Sequence, residues 1–493
     1  MSRHLTSLVV FTLLFGFCTP LAAQRGRARR VDRLLTAPGF ERTLWGIVLM
    51  DTTGRVLYQH NGDHLFVPAS NTKLVVTSAA MALLDSGYTV TTDVYGTGPV
   101  VDGWLHGALV IRGHGDPTFS ERCYDTDTLA LGACDWLWKR MDMLADSIAA
   151  AGIRVVDGPI VGDGSWFEAT RVHPAWETYD LAWWYAAPVS ALGFNDNSVN
   201  IRYRPGVAAG APPIVSFEPN LDLFRFENRA VTTDSGPTTI DFFRDDDADL
   251  VWSEGTIPVG RRPRTEYLAL PDPDRYFAAA LRQALAARGI AVAGATESTH
   301  DSTDYAELYA NAEPLVRFHS RPLADWLFPV LNTSQNWFAE MLLKQLGLAM
   351  GSAGSWDDGL AVERTFLVDT VGLDSTAFAL EDGSGLSHGN LMAPHAFAQL
   401  LAYDWRHPNR AVFLRGLPRS GQVGSLEERF VGTPLEGRVQ AKTGSINHVN
   451  TLSGYILRER GGPLVFSVMA NNRTAPYDQM LAQIDSVVVQ LGR

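Results

Sequence analysis

Lysine is scarce in this chain. Only Lys73, Lys139, Lys344 and Lys442 occur, and the rest of the 41 basic residues are arginine. Each lysine therefore raises the question of what arginine could not do there. Cysteine is nearly as rare, with three in all, and no His or Cys stands at zinc-site spacing beside Cys123 or Cys134. That argues against a thiolate-bound metal, and no other metal site or cofactor motif is evident. Basic charge is also in deficit. A net charge of −13 argues against a nucleic-acid partner and for solubility. After the N-terminus no apolar run is long enough to span a bilayer. Internal repeats and low-complexity tracts are absent.

What is present is a globular composition, 46% hydrophobic and 19% charged, over 493 residues. Such a length implies two or three domains. The opening MSRHLTSLVVFTLLFGFCTPLAAQ has a basic start, an apolar run from Leu5 to Phe17 and a small-residue exit at Ala22-Ala23. It reads as a signal peptide over residues 1–23, although Leu21 sits where a small residue is preferred. Phe17 before Cys18 argues against a lipid-modified cysteine. Export would leave Cys123 and Cys134, which can either pair or remain as buried thiols.

After the exit, RGRARRVDRLLTAPGF suggests a basic, mobile arm and a short helix. Two strands follow, with a turn at Thr52–Gly54. SNTKLVVTSAAMALLDSG reads as a helix stopped by Gly87. Between about 89 and 311 short β-like pieces alternate with Gly, Pro and Asp turns, broken by one helical insert, DTLALGACDWLWKRMDMLADSIAAAG. This middle reads as one or two inserted domains, mostly β. Helical texture returns from 312, and three antiparallel strands and a terminal helix close the chain. Expected boundaries are therefore 24–88 and 312–493 for one domain and 89–311 for the insertion.

Ser70 falls in the first turn of its helix, three residues before Lys73, so both side chains share a face. The helix N-terminus favours a developing alkoxide and disfavours a charged lysine. A desolvated lysine can lose its proton, whereas arginine cannot. Ser-x-x-Lys thus supplies a nucleophile and a base in one turn. Taken alone it is a weak signal, but no other lysine here has a serine three residues before it. LNTSQNWFAEMLLK places Ser334 and Asn336 where a loop enters a helix. The bland reading is an N-cap by Thr333 or Ser334. QAKTGSIN places Lys442, Thr443 and Gly444 on a strand. Lys442 and Thr443 can hold a carboxylate, and Gly444 lets substrate approach closely.

The ordered set Ser-x-x-Lys, Ser-x-Asn, Lys-Thr-Gly is the signature of penicillin-interactive serine enzymes. The long interval between the first two motifs, and the segments GHGDPTFS, HPAWETYDLAWWYAAPVSALGFNDNSV and DGSGLSHGNLMAP, resemble the S13 peptidase family. These are D-alanyl-D-alanine carboxypeptidases/endopeptidases of the penicillin-binding protein 4 (DacB) type. The resemblance runs from about residue 30 to the C-terminus. It implies an α+β, β-lactamase/transpeptidase-like fold, helices on an antiparallel sheet, with a long, mostly β insertion. It also implies a periplasmic enzyme acting on peptidoglycan stem peptides, covalently inhibited by β-lactams, with no metal or cofactor. By resemblance Ser70 is acylated, Lys73 is its base, and Ser334 relays a proton with Lys442 tuning it. Asn336 would bind the substrate amide, and Lys442 and Thr443 the terminal carboxylate. The N–H groups of Ser70 and Ser445 would form the oxyanion hole. Asp180 would meet a diaminopimelate amine, or else be a surface charge. His388 stands where the family often has arginine, which weakens recognition of a second carboxylate.

Two other readings compete. Gly385-Leu386-Ser387-His388-Gly389 matches the nucleophile elbow of α/β-hydrolases, with His448 as a candidate partner, but an elbow needs a strand directly before and a helix directly after. A wall-binding or penicillin-sensing protein would acylate without turnover. The Gly113–Asp116 turn, with His114 and Asp116, reads as structural rather than metal-binding.

Overall fold

The computed structural model describes residues 18–245 and 249–493. The expected signal peptide falls outside the residues whose side chains are described. The central sheet draws on both ends of the chain. Strands β1 (Leu44–Asp51) and β2 (Val56–His60) come from the first part; β3 (Val439–Ile446), β4 (Val449–Ile456) and β5 (Leu464–Asn471) come from the last. Their order is β2-β1-β5-β4-β3, with every pairing antiparallel. β4 and β5 are buried at every position, because helices cover both faces. Side chains alternate faces along a strand. Ile47 and Leu49 thus join one core and Val48 and Met50 the other.

The first core includes Val31 and Leu35 of helix α1 (Cys18–Leu35). The arm expected to be mobile is helical here. Its apolar side packs on the C-terminal helix, and Arg30 Nε donates to Gln490 Oε1 at 3.0 Å. On the opposite face lie α2 (Lys73–Leu83), α3 (Leu323–Leu331), α4 (Asn336–Met350) and α5 (Pro394–Arg406). Helix α6 (Tyr477–Gly492) closes the chain and buries Met480, Ile484, Val487, Val488 and Leu491 beside α1.

The middle of the chain has its own core around a second five-stranded sheet. It contains more helix than expected. Besides Thr126–Leu131 and Lys139–Ala150, a 14-residue helix runs over Pro273–Ala286. Asp272 caps it by accepting Arg275 N–H, and Pro273 occupies its first turn. Strand Val316–His319 pairs with Thr91–Gly96, so the chain is still in this sheet beyond residue 312. Cys123 and Cys134 are joined in a disulfide.

Candidate active site

Ser70 sits in a 3₁₀ turn, Ala69–Thr72, that runs straight into α2. Ala69 has φ of 48°, a left-handed conformation that alanine rarely adopts. Neighbours hold it there: Thr451 Oγ1 donates to the Pro68 carbonyl at 2.8 Å. β3 passes directly beneath this turn. A Cβ at Gly444 would lie 2.8 Å from the Pro68 carbonyl oxygen and 3.1 Å from Ser70 N. The expected reason for this glycine, access for substrate, is therefore corrected. Gly444 is buried, and its missing side chain makes room for the serine turn.

Lys73 is fully buried. Its Nζ lies 2.8 Å from Ser70 Oγ, 2.7 Å from Asn336 Oδ1 and 2.8 Å from the Ser384 carbonyl. Burial pushes its pKa down to about 7, against the pull of the Glu340 and Asp382 carboxylates. A neutral amine has two N–H donors and one lone pair. Asn336 Oδ1 and the Ser384 carbonyl can only accept. The lone pair is thus left for the Ser70 hydroxyl, the one neighbour of the three with a proton to give.

Asn336 begins α4, and its Nδ2 donates to the Tyr185 carbonyl at 2.7 Å. Its amide is engaged at both ends and orients Lys73, a task the expected role of binding substrate did not include. Ser334, at the bend between α3 and α4, has φ of 63°. Its Oγ accepts Lys442 Nζ at 2.8 Å, and the same Nζ donates to the Thr443 carbonyl. Lys442 is fully buried, and burial, then the neighbouring Lys73, holds its pKa well below the usual lysine range.

These groups meet at a cleft of about 470 Å³ lined by Ser70, Ser334, Asn336, Ser445, Asp180 and His388. Lys73 and Lys442 lie behind its wall. Thr443 does not line the cleft; it is half-buried on the strand face opposite Lys442. Asp180 accepts the Tyr185 hydroxyl at 3.0 Å. Burial pushes its pKa up, the Tyr185 hydroxyl opposes this, and Glu177 adds to the rise. His388 Nε2 stands 3.8 Å from Glu177 Oε1, so two carboxylates and an imidazole share one side of the cleft.

Sequence reasoning missed the buried carboxylates behind Lys73. Glu340 accepts Gly383 N–H at 3.0 Å, Ser384 N–H at 2.7 Å and Trp356 Nε1–H at 2.8 Å. Asp382 accepts the N–H groups of Gly385 and Ser387, both at 2.7 Å. Together they fix the loop whose Ser384 carbonyl meets Lys73. One signal was available: Glu340 lies four residues after Asn336, on the same face of α4.

The elbow reading of Ser387 fails. The serine is buried in this irregular loop, its Oγ donates to Glu381, and His448 is engaged with the Arg473 carbonyl. Strand and helix do not flank it as an elbow requires; helix α5 begins only at Pro394. Asp116 pairs with Arg140 and accepts Thr118 N–H, a structural role. No cluster of potential metal ligands occurs among the described residues.

A hydroxyl facing a buried, proton-poor amine, on helices over an antiparallel sheet, defines a serine acyl-transfer enzyme of the β-lactamase/transpeptidase-like class. Residues 27–491 match the model of the D-Ala-D-Ala carboxypeptidase 3 (S13) family, and the chain belongs to that family. It is 31% identical to a D-alanyl-D-alanine carboxypeptidase of Actinomadura sp. (strain R39), over 94% of this chain and 84% of the relative. It is 24% identical to penicillin-sensitive carboxypeptidase A of Dictyostelium discoideum, over 92% and 87% respectively. In fold it is similar to penicillin binding protein 4 (dacB) of Haemophilus influenzae. The TM-score is 0.78 at 22% identity, covering 94% of this chain and 97% of that one.

Proposed function

We propose that the protein is a serine DD-peptidase that cleaves the terminal D-alanyl bond of peptidoglycan stem peptides through an acyl-enzyme on Ser70. One observation carries this reading: Ser70 is the only proton donor among the three neighbours of Lys73 Nζ. The Ser70 proton passes to Lys73 as Oγ bonds to the penultimate D-alanine carbonyl carbon. Backbone N–H groups of Ser70 and Ser445 hold the resulting oxyanion. The C–N bond then breaks, and the proton taken up by Lys73 is passed by way of Ser334 to the leaving amine, which leaves Lys73 neutral again. Lys442 lies behind Ser334 at 2.8 Å and keeps that hydroxyl oriented. Water attacks the ester, giving its proton to Lys73 and restoring the Ser70 hydroxyl.

The terminal carboxylate docks where Ser334 and Ser445 line the cleft, with the Lys442 amine behind Ser334; the expected contact with both Lys442 and Thr443 is corrected, since the two lie on opposite faces of β3. Its negative charge offsets the burial that depresses the Lys442 pKa. Asp180 and Glu177 receive the amine of the third residue, and the His388 imidazole stands beside Glu177. A β-lactam carboxylate uses the same position as the terminal D-alanine. We assign 24–88 and the C-terminal part to the catalytic unit, with the middle region inserted between. Export to the periplasm fits the N-terminal signal and the Cys123–Cys134 disulfide, a bond that persists in oxidising compartments. No helix among the described residues is long and apolar enough to cross a membrane.

The test is intact mass after incubation with benzylpenicillin, with Ser70→Ala beside the wild type. An adduct on the wild type alone, together with D-alanine release from a pentapeptide, is expected. No adduct at high drug concentration overturns the assignment of Ser70.

A further inference from the structure

The wall of the Ser70 cleft formed by Ser334, Gln335 and Asn336 has a second side. Ser334 and Asn336 line the cleft, whereas Gln335, between them, lines another cavity of about 540 Å³. Trp184 lines both, so the two spaces meet at its indole. The chain that brings Asp180 to the cleft thus runs on to the rim of the second cavity. One side of that cavity is a face of the antiparallel pair Ser198–Arg204 and Arg264–Ala269, with Asn200 opposite Tyr267 and Arg202 opposite Thr265. Alternation sends Val199, Ile201 and Tyr203 into the core and leaves Ser198, Asn200 and Arg202 on the cavity side. Cys134 and Trp136 also line it, on a stretch that the Cys123–Cys134 disulfide ties down.

The charges of this lining are largely answered within the protein. Arg122 pairs with Asp196, Arg202 with Glu218 at 2.6 Å, and Asp135 with Lys139 at 2.7 Å and Arg321 at 2.6 Å. Gln335 joins the first pair: with its amide oxygen towards Arg122 it accepts N–H groups at 2.9 Å, and its nitrogen donates to Asp196 at 3.2 Å. Glu121, on the rim, is the charged exception. Several neutral groups have no hydrogen-bond partner among the described residues: Asn200 Nδ2, the Tyr267 hydroxyl, and the indole N–H groups of Trp136 and Trp184. Asn200 is only 4% exposed, so its free amide is turned to the cavity and not to open solvent. The rings of Trp136 and Tyr267 are 55% and 40% exposed, large apolar surfaces left uncovered beside these donors.

Exposed rings beside neutral donors suit one ligand chemistry. A pyranose has faces of C–H groups that pack on aromatic rings, and a rim of hydroxyls that both donate and accept. An anion would find both cations of the lining already paired, and an apolar ligand would leave the Asn200 amide unsatisfied. A cavity of roughly 300–1,000 Å³ has room for one or two sugar rings. We propose that this cavity is a saccharide subsite, which holds the amino sugar to which the stem peptide is attached while the D-alanyl end lies at Ser70. The proposal rests on the DD-peptidase reading. Four residues of extended stem peptide reach up to about 14 Å, so the sugar belongs beyond the cleft, not inside it.

The experiment compares two substrates on the full chain. One is a free pentapeptide ending in D-Ala-D-Ala. The other is the same pentapeptide joined through a lactoyl ether to a disaccharide of N-acetylated amino sugars. D-alanine release gives kcat/KM for each, and benzylpenicillin acylation checks the integrity of each variant. Binding of the peptide-free disaccharide is read separately by saturation-transfer NMR, which needs no turnover. The wild type should prefer the glycosylated substrate about tenfold, the scale of an aromatic contact with one or two hydrogen bonds. Trp136→Ala and Tyr267→Ala should each remove most of that preference and weaken the disaccharide signal, while free pentapeptide is cleaved within about twofold of the wild-type rate. Equal kcat/KM for the two substrates in the wild type overturns the proposal, as do variants that keep the preference or slow both substrates alike. A disaccharide that does not bind overturns it too. Disaccharide binding without D-alanine release or a penicillin adduct would leave the saccharide site standing and sink the peptidase reading.

Discussion

Glu340 and Lys73 are linked through one residue: the Glu340 carboxylate accepts the Ser384 N–H at 2.7 Å, and the Ser384 carbonyl accepts Lys73 Nζ at 2.8 Å. A buried carboxylate thereby sets the position of a buried amine without touching it. Burial and the nearby Asp382 push the Glu340 pKa up, so the group is poised between its ionic and neutral forms. Glu340→Gln keeps the shape but replaces one acceptor with a donor facing N–H groups. The expected result is a fall in kcat/KM for D-alanine release of about tenfold or more, as expected for loss of charged hydrogen bonds worth ~1.5–3 kcal/mol. A positioning role predicts more than a lower rate. The ascending limb of the acylation pH profile should also move, because the charge beside Lys73 has changed.

Lys73 itself sets a pH dependence. Only its neutral form can take the Ser70 proton, and burial holds its pKa at about 7. The rate of benzylpenicillin acylation should therefore rise with pH through about 7 and then level off. Lys73→Arg should abolish acylation at every pH, since arginine stays protonated. The sign for stability follows from linkage. Between about 7 and the unfolded value of 10.5 the folded state binds fewer protons at this site, so its contribution to stability rises with pH over that window. Stopped-flow acylation across a pH series checks the first statement, and denaturant midpoints across the same series check the second.

Gly444 tests the architecture of the serine turn. A methyl group there would meet the Pro68 carbonyl at 2.8 Å and the backbone N of Ser70 at 3.1 Å. These are backbone atoms and cannot swing aside. Gly444→Ala should lower stability by about 1–3 kcal/mol, the usual cost of overpacking. It should also slow acylation by more than the stability change implies, because the displaced atoms carry the nucleophile. If acylation kept its wild-type rate, the turn would not depend on the close approach of β3.

The parts of the site that could be read from sequence are those written in contiguous runs. Ser70 and Lys73 are linked by helical spacing, Ser334 and Asn336 stand two apart, and Lys442 to Ser445 form one stretch of strand. The supports are different. Glu340 meets Gly383 and Ser384 only because α4 and the 381–390 loop pack together, a tertiary event with no local signature. Gly444 looked like a glycine for substrate because the turn above it is nearly four hundred residues away in the chain. The basic arm looked mobile because arginines dominate it, while its few apolar residues, Val31 and Leu35, decide its packing. The helix Pro273–Ala286 was legible, since Asp272 and Pro273 open it, but the turn-rich sequence around it suggested strands.

The disulfide offers a last prediction, because it ties down structure outside the reacting groups. Cys123 and Cys134 close a loop with a sequence separation of 11. In the chain-entropy account a loop of that size stabilises the fold by roughly 2–3 kcal/mol. The loop carries the short helix Thr126–Leu131, whose residues are nowhere buried, so packing alone contributes little to hold it. Replacing both cysteines, as Cys123→Ser with Cys134→Ser, should lower the first unfolding midpoint in a thermal or denaturant melt. Reduction of the wild type should do the same. Neither cysteine lines the Ser70 cleft, so acylation by benzylpenicillin should stay near the wild-type rate at temperatures below the new midpoint. A variant that melts like the wild type would mean that the loop is held by its contacts and not by the bond. A loss of acylation without a loss of stability would mean that the loop reaches the serine through the α3–α4 bend.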